Sequence, residues 1–290
     1  MTGSIHTISI KTEDEITNGD QRIGKCMKSI RRADGKGITA SIINPNRLLG
    51  DIYKYSEFET ALETITAGAG ITDYWITRVD MRFDSFDKEH YEKYAKLNRL
   101  LVSMIAATYD VKNRYRTVDL FSERQLSVAL KTDEFEVENY DKARESNEKD
   151  RAKSRFELRS KRMKGRSIEK EFCENWPKRW RKALKNFKAV GERYNEELIR
   201  IYRTGCTEFP KQFAGITDFL IKYQNCIFTK EQLLTLLEKL GVQNPETKYK
   251  NHKQRYGIEL FRIEDVEYAI NEINIQTRKF FEKIKNDENN

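Results

Sequence analysis

From Tyr74 to Phe86 the chain reads YWITRVDMRFDSF, a run that alternates cleanly between apolar and charged residues. Successive side chains of a β-strand point to opposite faces. Val79, Met81 and Phe83 therefore share one face, which must be core, and Asp80, Arg82 and Asp84 share the other. A strand with one apolar and one charged face belongs in a sheet covered on one side. Two later segments obey the same rule. In SRFELRSKRM, Phe156 and Leu158 turn inward while Arg155, Glu157 and Arg159 turn outward. In FEVENYDK, Phe135 and Val137 turn inward and Glu136, Glu138, Tyr140 and Lys142 turn outward.

The rest of the chain fits around such a sheet. IHTISIK, with Ile8 and Ile10 alternating against polar residues, reads as a first strand; a polar, turn-rich stretch follows, and GITASIINP reads as a second strand. RYRTVDLF and LSVALK supply further strands. SEFETALETITAG has Ser56 as its cap, Gly68 as its stop, and Phe58, Leu62 and Ile65 at helical spacing. A long amphipathic helix is expected after Phe86, and more helix after Met163, with Pro177 at a break or a first turn. This order predicts an α+β fold over residues 1–210, an antiparallel sheet with helices packed on one face. Residues 215–285 read as a smaller helical domain. In it Thr229 and Gln232 form a capping box, Gly241 is a stop, and short helices flank the basic connector KYKNHKQRYG, a winged-helix-like pattern.

Charge narrows the partners. The net charge is +8, which fits an anionic partner, nucleic acid first, or simply a basic protein. The surplus is concentrated: residues 149–188 hold sixteen Lys or Arg against five Asp or Glu. Trp176, Trp180 and Phe187 lie among these cations, where each alone reads as core and the cluster as a whole reads as a nucleic-acid surface with bases stacked on rings. The four cysteines, Cys26, Cys173, Cys206 and Cys226, form no CxxC pair, so free thiols in a reducing cytoplasm are expected. No run of 18 apolar residues and no secretory leader is found, so no membrane partner is expected. Phosphate-loop and nucleophile-elbow motifs are absent.

The outward rows carry the chemistry. Acids between arginines suit a hard divalent cation, and Arg and Lys suit phosphate oxygens. Each residue singly has a plainer reading. Charged side chains on an open sheet face pair with one another across strands, and a strand tyrosine is usually packing.

In order and spacing, TRVDMRFDSF, FEVENYDKARES and SRFELRSKRM resemble the three blocks of rolling-circle replication initiators of the Rep_trans type and of the gene II/X type of filamentous phages. The resemblance covers about residues 73–163. It implies a site-specific nickase in which a tyrosine attacks one phosphodiester at an origin and becomes joined to the 5′ phosphate. Carried over residue by residue, it gives Asp80, Asp84 and Glu157 as ligands of Mg²⁺ or Mn²⁺, and Lys142 as a phosphate contact beside the nucleophile. Cations placed on DNA are Arg82, Arg155, Arg159, Lys161, Arg162, Lys178, Arg179 and Arg181. The nucleophile is Tyr140 or Tyr194, the latter on a helix after the basic segment. Implied partners are origin DNA, duplex and single-stranded, with room for a host helicase and for a second copy of the chain. The His-hydrophobic-His motif of many such enzymes is missing, since His6, His90 and His252 lie far apart in sequence. A conjugative relaxase of the same chemistry and a non-catalytic plasmid or phage DNA-binding regulator are the alternatives.

Overall fold

The computed structural model describes residues 1–17, 20–33, 37–86, 91–109, 128–142, 146, 154–207 and 211–282. RYRTVDLF, His90 and Glu145 lie outside the described residues.

Seven strands form one antiparallel sheet: β1 (Thr2–Thr12), β2 (Met27–Ala33), β3 (Ile38–Ile43), β4 (Trp75–Ser85), β5 (Val128–Lys131), β6 (Phe135–Asp141) and β7 (Ser154–Lys161). Their order is β2-β3-β1-β4-β7-β6-β5. The three alternating segments are therefore neighbours, β4 beside β7 and β7 beside β6. Their apolar rows fill the core: Val79, Met81, Phe83, Phe135, Val137, Phe156 and Leu158 are all buried.

Helices cover that core face. The polar stretch before β2 contains one not anticipated from sequence, α1 (Gln21–Cys26), capped by Asp20, whose side chain accepts from the amides of Arg22 and Ile23. After α2 (Asn46–Leu49) comes α3 (Tyr55–Gly68), which buries Phe58, Leu62 and Ile65 as their spacing predicts. The long helix α4 (Tyr91–Thr108) packs on β5, β6 and β7. A helical turn (Ile168–Lys170) and a π-helical turn (Glu171–Asn175) lead into α5 (Trp176–Leu184) and α6 (Phe187–Thr207).

Residues 211–282 hold four α-helices, a 3₁₀ turn (Gln224–Cys226) and no strand among the described residues: α7 (Ile216–Tyr223), α8 (Lys230–Lys239), α9 (Pro245–Tyr256) and α10 (Ile263–Phe281). The helical expectation holds, without a β wing. The Thr229 cap is present, its hydroxyl accepting from the Gln232 amide at 3.0 Å. The hydrophobic core runs without interruption from the sheet into these helices. α10 returns to β1, where a Cβ on Gly3 would lie 3.3 Å from the Gln276 carbonyl oxygen, so the close approach favours glycine. Tyr55 and Phe281 seal the contact, their ring centroids 4.9 Å apart. No described helix is long and apolar enough to cross a membrane.

Candidate functional site

The face of the sheet opposite the main core carries the outward rows. Pairing sets Asp80 opposite Arg159, Arg82 opposite Glu157, Asp84 opposite Arg155, and Tyr140 opposite Arg155. Asp80 and Glu157 are thus diagonal neighbours on adjacent strands, about 7–8 Å apart. With Tyr140 they line one cavity of about 310 Å³.

Four strands build its walls. β4 supplies Arg78 and Asp80, β7 supplies Glu157 and Arg159, and β6 supplies Glu138 and Tyr140. β1 supplies His6 and Thr7 through a register shift: Ile5 faces Met81 but Thr7 faces Asp80, so two residues of β1 meet one of β4. Such a bulge bends a strand and re-aims a side chain. Strict alternation from Ile8 and Ile10 would send His6 to the core, so no sequence pattern marks it as a site residue. Arg78 and Glu138 share the parity of Asp80 and Tyr140, and that signal could have placed them here.

Glu157 is the hub. It is 1% exposed, and its Oε1 lies 3.0 Å from His6 Nδ1 and 2.8 Å from the Tyr140 hydroxyl, which donates to it. Its Oε2 accepts from Arg159 at 2.5 Å. Burial alone would raise the carboxyl's pKa; His6, by hydrogen bond and charge, and Arg159 outweigh it, so the group is held well below the usual carboxylate range. Tyr140 is shifted the other way, upward, first by burial and then by the Glu157 charge. Asp80 accepts from Thr7 Oγ1 at 2.5 Å and from both ends of the Arg78 guanidinium, at 2.6 and 2.7 Å. Arg159 also reaches Glu138 at 2.5 Å and Glu136 at 3.2 Å.

Two of the carboxylates that the resemblance gives to a divalent ion, Asp80 and Glu157, line this cavity. Asp80, Glu138 and Glu157 are hard oxygen donors, and Arg78, Arg159 and His6 already meet them, so a cation would enter only by displacing one of these partners. Arg159 now bridges Asp80 and Glu157. Among the described residues no three His, Cys, Asp or Glu side chains are grouped to hold a metal.

The other sequence-derived residues fall elsewhere. Asp84 does not line the cavity; its oxygens accept from Arg155 at 2.6 and 2.9 Å in a pair buried on both sides. Arg82 joins Ser4, Asp51 and Asp84 farther along β4. Lys161 pairs with Glu136 at 2.5 Å, and Lys142 Nζ lies 5.8 Å from the Tyr140 ring centroid. Tyr194 belongs to the helical layer, 3% exposed, 2.6 Å from Ser103 Oγ on α4 and edge-on to Phe228. The basic segment is split between layers. Arg179 lies on the helix side of the sheet, bound to Glu171 at 2.6 Å and stacked over Phe135 and Trp176. Lys178 and Arg181 are exposed on α5, and Arg162 is exposed beyond the end of β7. Trp176 and Trp180 are buried at 1% and 0%, which makes them core and removes them as base-stacking platforms.

The chain matches no family model, no curated protein and no solved structure.

Proposed function

We propose that this chain is a DNA strand transferase of the rolling-circle initiator kind, which nicks and rejoins one strand at a replication origin with Tyr140 as the nucleophile. One observation carries the reading: the Tyr140 hydroxyl donates to a buried, anionic Glu157 at 2.8 Å, inside a cavity lined by Arg78 and Arg159. A nucleophile in hydrogen-bond reach of a base, itself held by further groups, is the arrangement that covalent catalysis requires. His6 and Arg159 are those further groups.

In the proposed step the phenol oxygen bonds to phosphorus and its proton passes to Glu157, whose basicity returns as Arg159 leaves it for the phosphate. The P–O3′ bond breaks with its electron pair on O3′, which takes a proton from solvent. The 5′ phosphate stays on Tyr140, and the reverse sequence rejoins the strand. Arg78 and Arg159 exchange carboxylate partners for the non-bridging oxygens, the bidentate geometry guanidinium favours. Mg²⁺ or Mn²⁺, held by Asp80 and Glu157, would add positive charge at those oxygens.

Saturation of every carboxylate by a donor favours a second reading, DNA binding without cleavage. The test is incubation of the whole chain with a supercoiled plasmid carrying its cognate origin, with Mg²⁺ or Mn²⁺ and again with a chelator. The expected product is nicked plasmid with its 5′ end linked to Tyr140 by mass spectrometry, lost on chelation. Retention of intact plasmid by a binding-competent protein would establish the second reading instead.

A further inference from the structure

The helix α9 (Pro245–Tyr256) buries a single side chain, His252. A helix polar on nearly every face gains little by packing and is held for another reason. This one is held firmly. Pro245 opens it and Gly257, at φ +64°, closes it. Glu246 pairs with Lys230 of α8 at 3.0 Å, and Lys248 donates to Thr217 of α7 at 2.5 Å. The turn from α8 is short and passes through Gly241 at φ +79°.

The outer surface of α9 is ordered by residue type. At 3.6 residues per turn, Thr247, Lys250, Asn251 and Gln254 stand at i, i+3, i+4 and i+7 on one face, away from His252, and all four are exposed. Lys253 and Arg255 flank that face and are exposed too. Among the described residues, Lys250, Lys253 and Arg255 form no ion pair, whereas the helix's one acid, Glu246, is neutralised by Lys230. Side-chain amides at the centre with free cations on the flanks match what duplex DNA offers. Asn and Gln pair bidentately with adenine, Lys with guanine, and the major groove admits one α-helix.

We propose that α8 and α9 form a helix–turn–helix in which α9 reads the major groove of duplex DNA, with Asn251 and Gln254 on base edges and Lys253 and Arg255 on phosphates. The proposal rests on DNA being the partner, as above, but uses a surface separate from the Tyr140 cavity.

The experiment is selection from a randomised duplex pool by the full chain, followed by affinity against salt. The wild type is expected to enrich one motif. Asn251→Ala with Gln254→Ala should erase that preference while general duplex affinity falls less than about threefold. Lys253→Ala with Arg255→Ala should weaken binding to every duplex alike and lower the slope of log Kd against log salt by about two. Enrichment of the same motif by the Asn251/Gln254 variant overturns the proposal. So does a wild type without sequence preference, or one that prefers poly-glutamate to duplex. Tyr140→Phe should leave the selection unchanged, so failure of the cleavage chemistry and failure of α9 as a reader are seen separately.

Discussion

Tyr140 and Tyr194 stand on opposite sides of the same sheet and resemble each other closely. Both are buried; the Tyr140 hydroxyl donates to Glu157 at 2.8 Å and also meets Arg155, and the Tyr194 hydroxyl meets Ser103 at 2.6 Å. Burial raises the pKa of both. What differs is the partner and the access. Ser103 already donates its hydroxyl proton to the Arg99 carbonyl at 2.8 Å, so Tyr194 is the donor in its pair, which lies inside the helical layer. Tyr140 donates to a carboxylate at the wall of a cavity, with two guanidiniums in reach of anything that enters. A phenol is made reactive by its acceptor and its access, since burial alone makes it inert.

The comparison breaks most sharply under substitution to phenylalanine. Tyr140→Phe is expected to lower the rate of origin cleavage by about 10³-fold or more, the scale of a lost nucleophile, in a protein whose fold is intact. Tyr194→Phe should leave cleavage unchanged and lower stability by about 1 kcal/mol, one buried neutral hydrogen bond. Quantified nicking and urea denaturation of both variants decide it. Cleavage that survives Tyr140→Phe and vanishes with Tyr194→Phe would invert the roles.

A smaller effect separates the two halves of the charged face. Asp84 and Arg155 form a buried bidentate pair outside the cavity. Removing one partner of such a pair leaves an uncompensated charge. Asp84→Asn should therefore destabilise the chain by about 3–5 kcal/mol, with origin cleavage per folded molecule kept within a few fold. A stable Asp84→Asn protein that fails to cleave would move Asp84 into the site.

The period of two in three segments was enough to put Asp80, Tyr140 and Glu157 each on the outward row of its own strand, because a slip by one residue would bury a charged row. It could not show that β7 lies between β4 and β6, since pairing is a long-range choice. It also failed at His6, where a local extra residue in β1 overrides alternation. Trp176 and Trp180 illustrate a different limit. Their neighbours in sequence are cationic, yet helical spacing turns both rings into the core, where Trp176 Nε1 donates to Ser160 at 2.9 Å and Arg179 stacks over the Trp176 ring. Local charge density names a segment, while periodicity decides which of its residues meet solvent.

Lys96 offers the gentlest test of the contrast, because it is a buried charge on the helical side whose burial outweighs its acidic neighbour, Glu259. Its Nζ donates to the Glu259 backbone carbonyl and lies 5.9 Å from the Phe261 ring centroid, tying α4 to the segment before α10. Burial lowers its pKa to about 7 from 10.5, with the Glu259 charge acting in the other direction. The folded chain then releases this proton near pH 7, whereas the unfolded chain keeps it until about pH 10.5. Between those values the unfolded state binds more protons, so this group makes stability rise with pH. Below pH 7 the lysine is charged in both states and its full burial penalty is present. The melting temperature of the wild type should climb from pH 7 to 9 relative to Lys96→Met, by about 2–4 °C for each kcal/mol in a chain of this size. Parallel curves for the two proteins would mean that Lys96 is solvated in the folded chain and that the α4 contact holds without it. On the charged face the same logic runs in reverse, since His6 and Arg159 hold Glu157 anionic but poorly basic, so it takes a proton from Tyr140 only once Arg159 has turned to the phosphate.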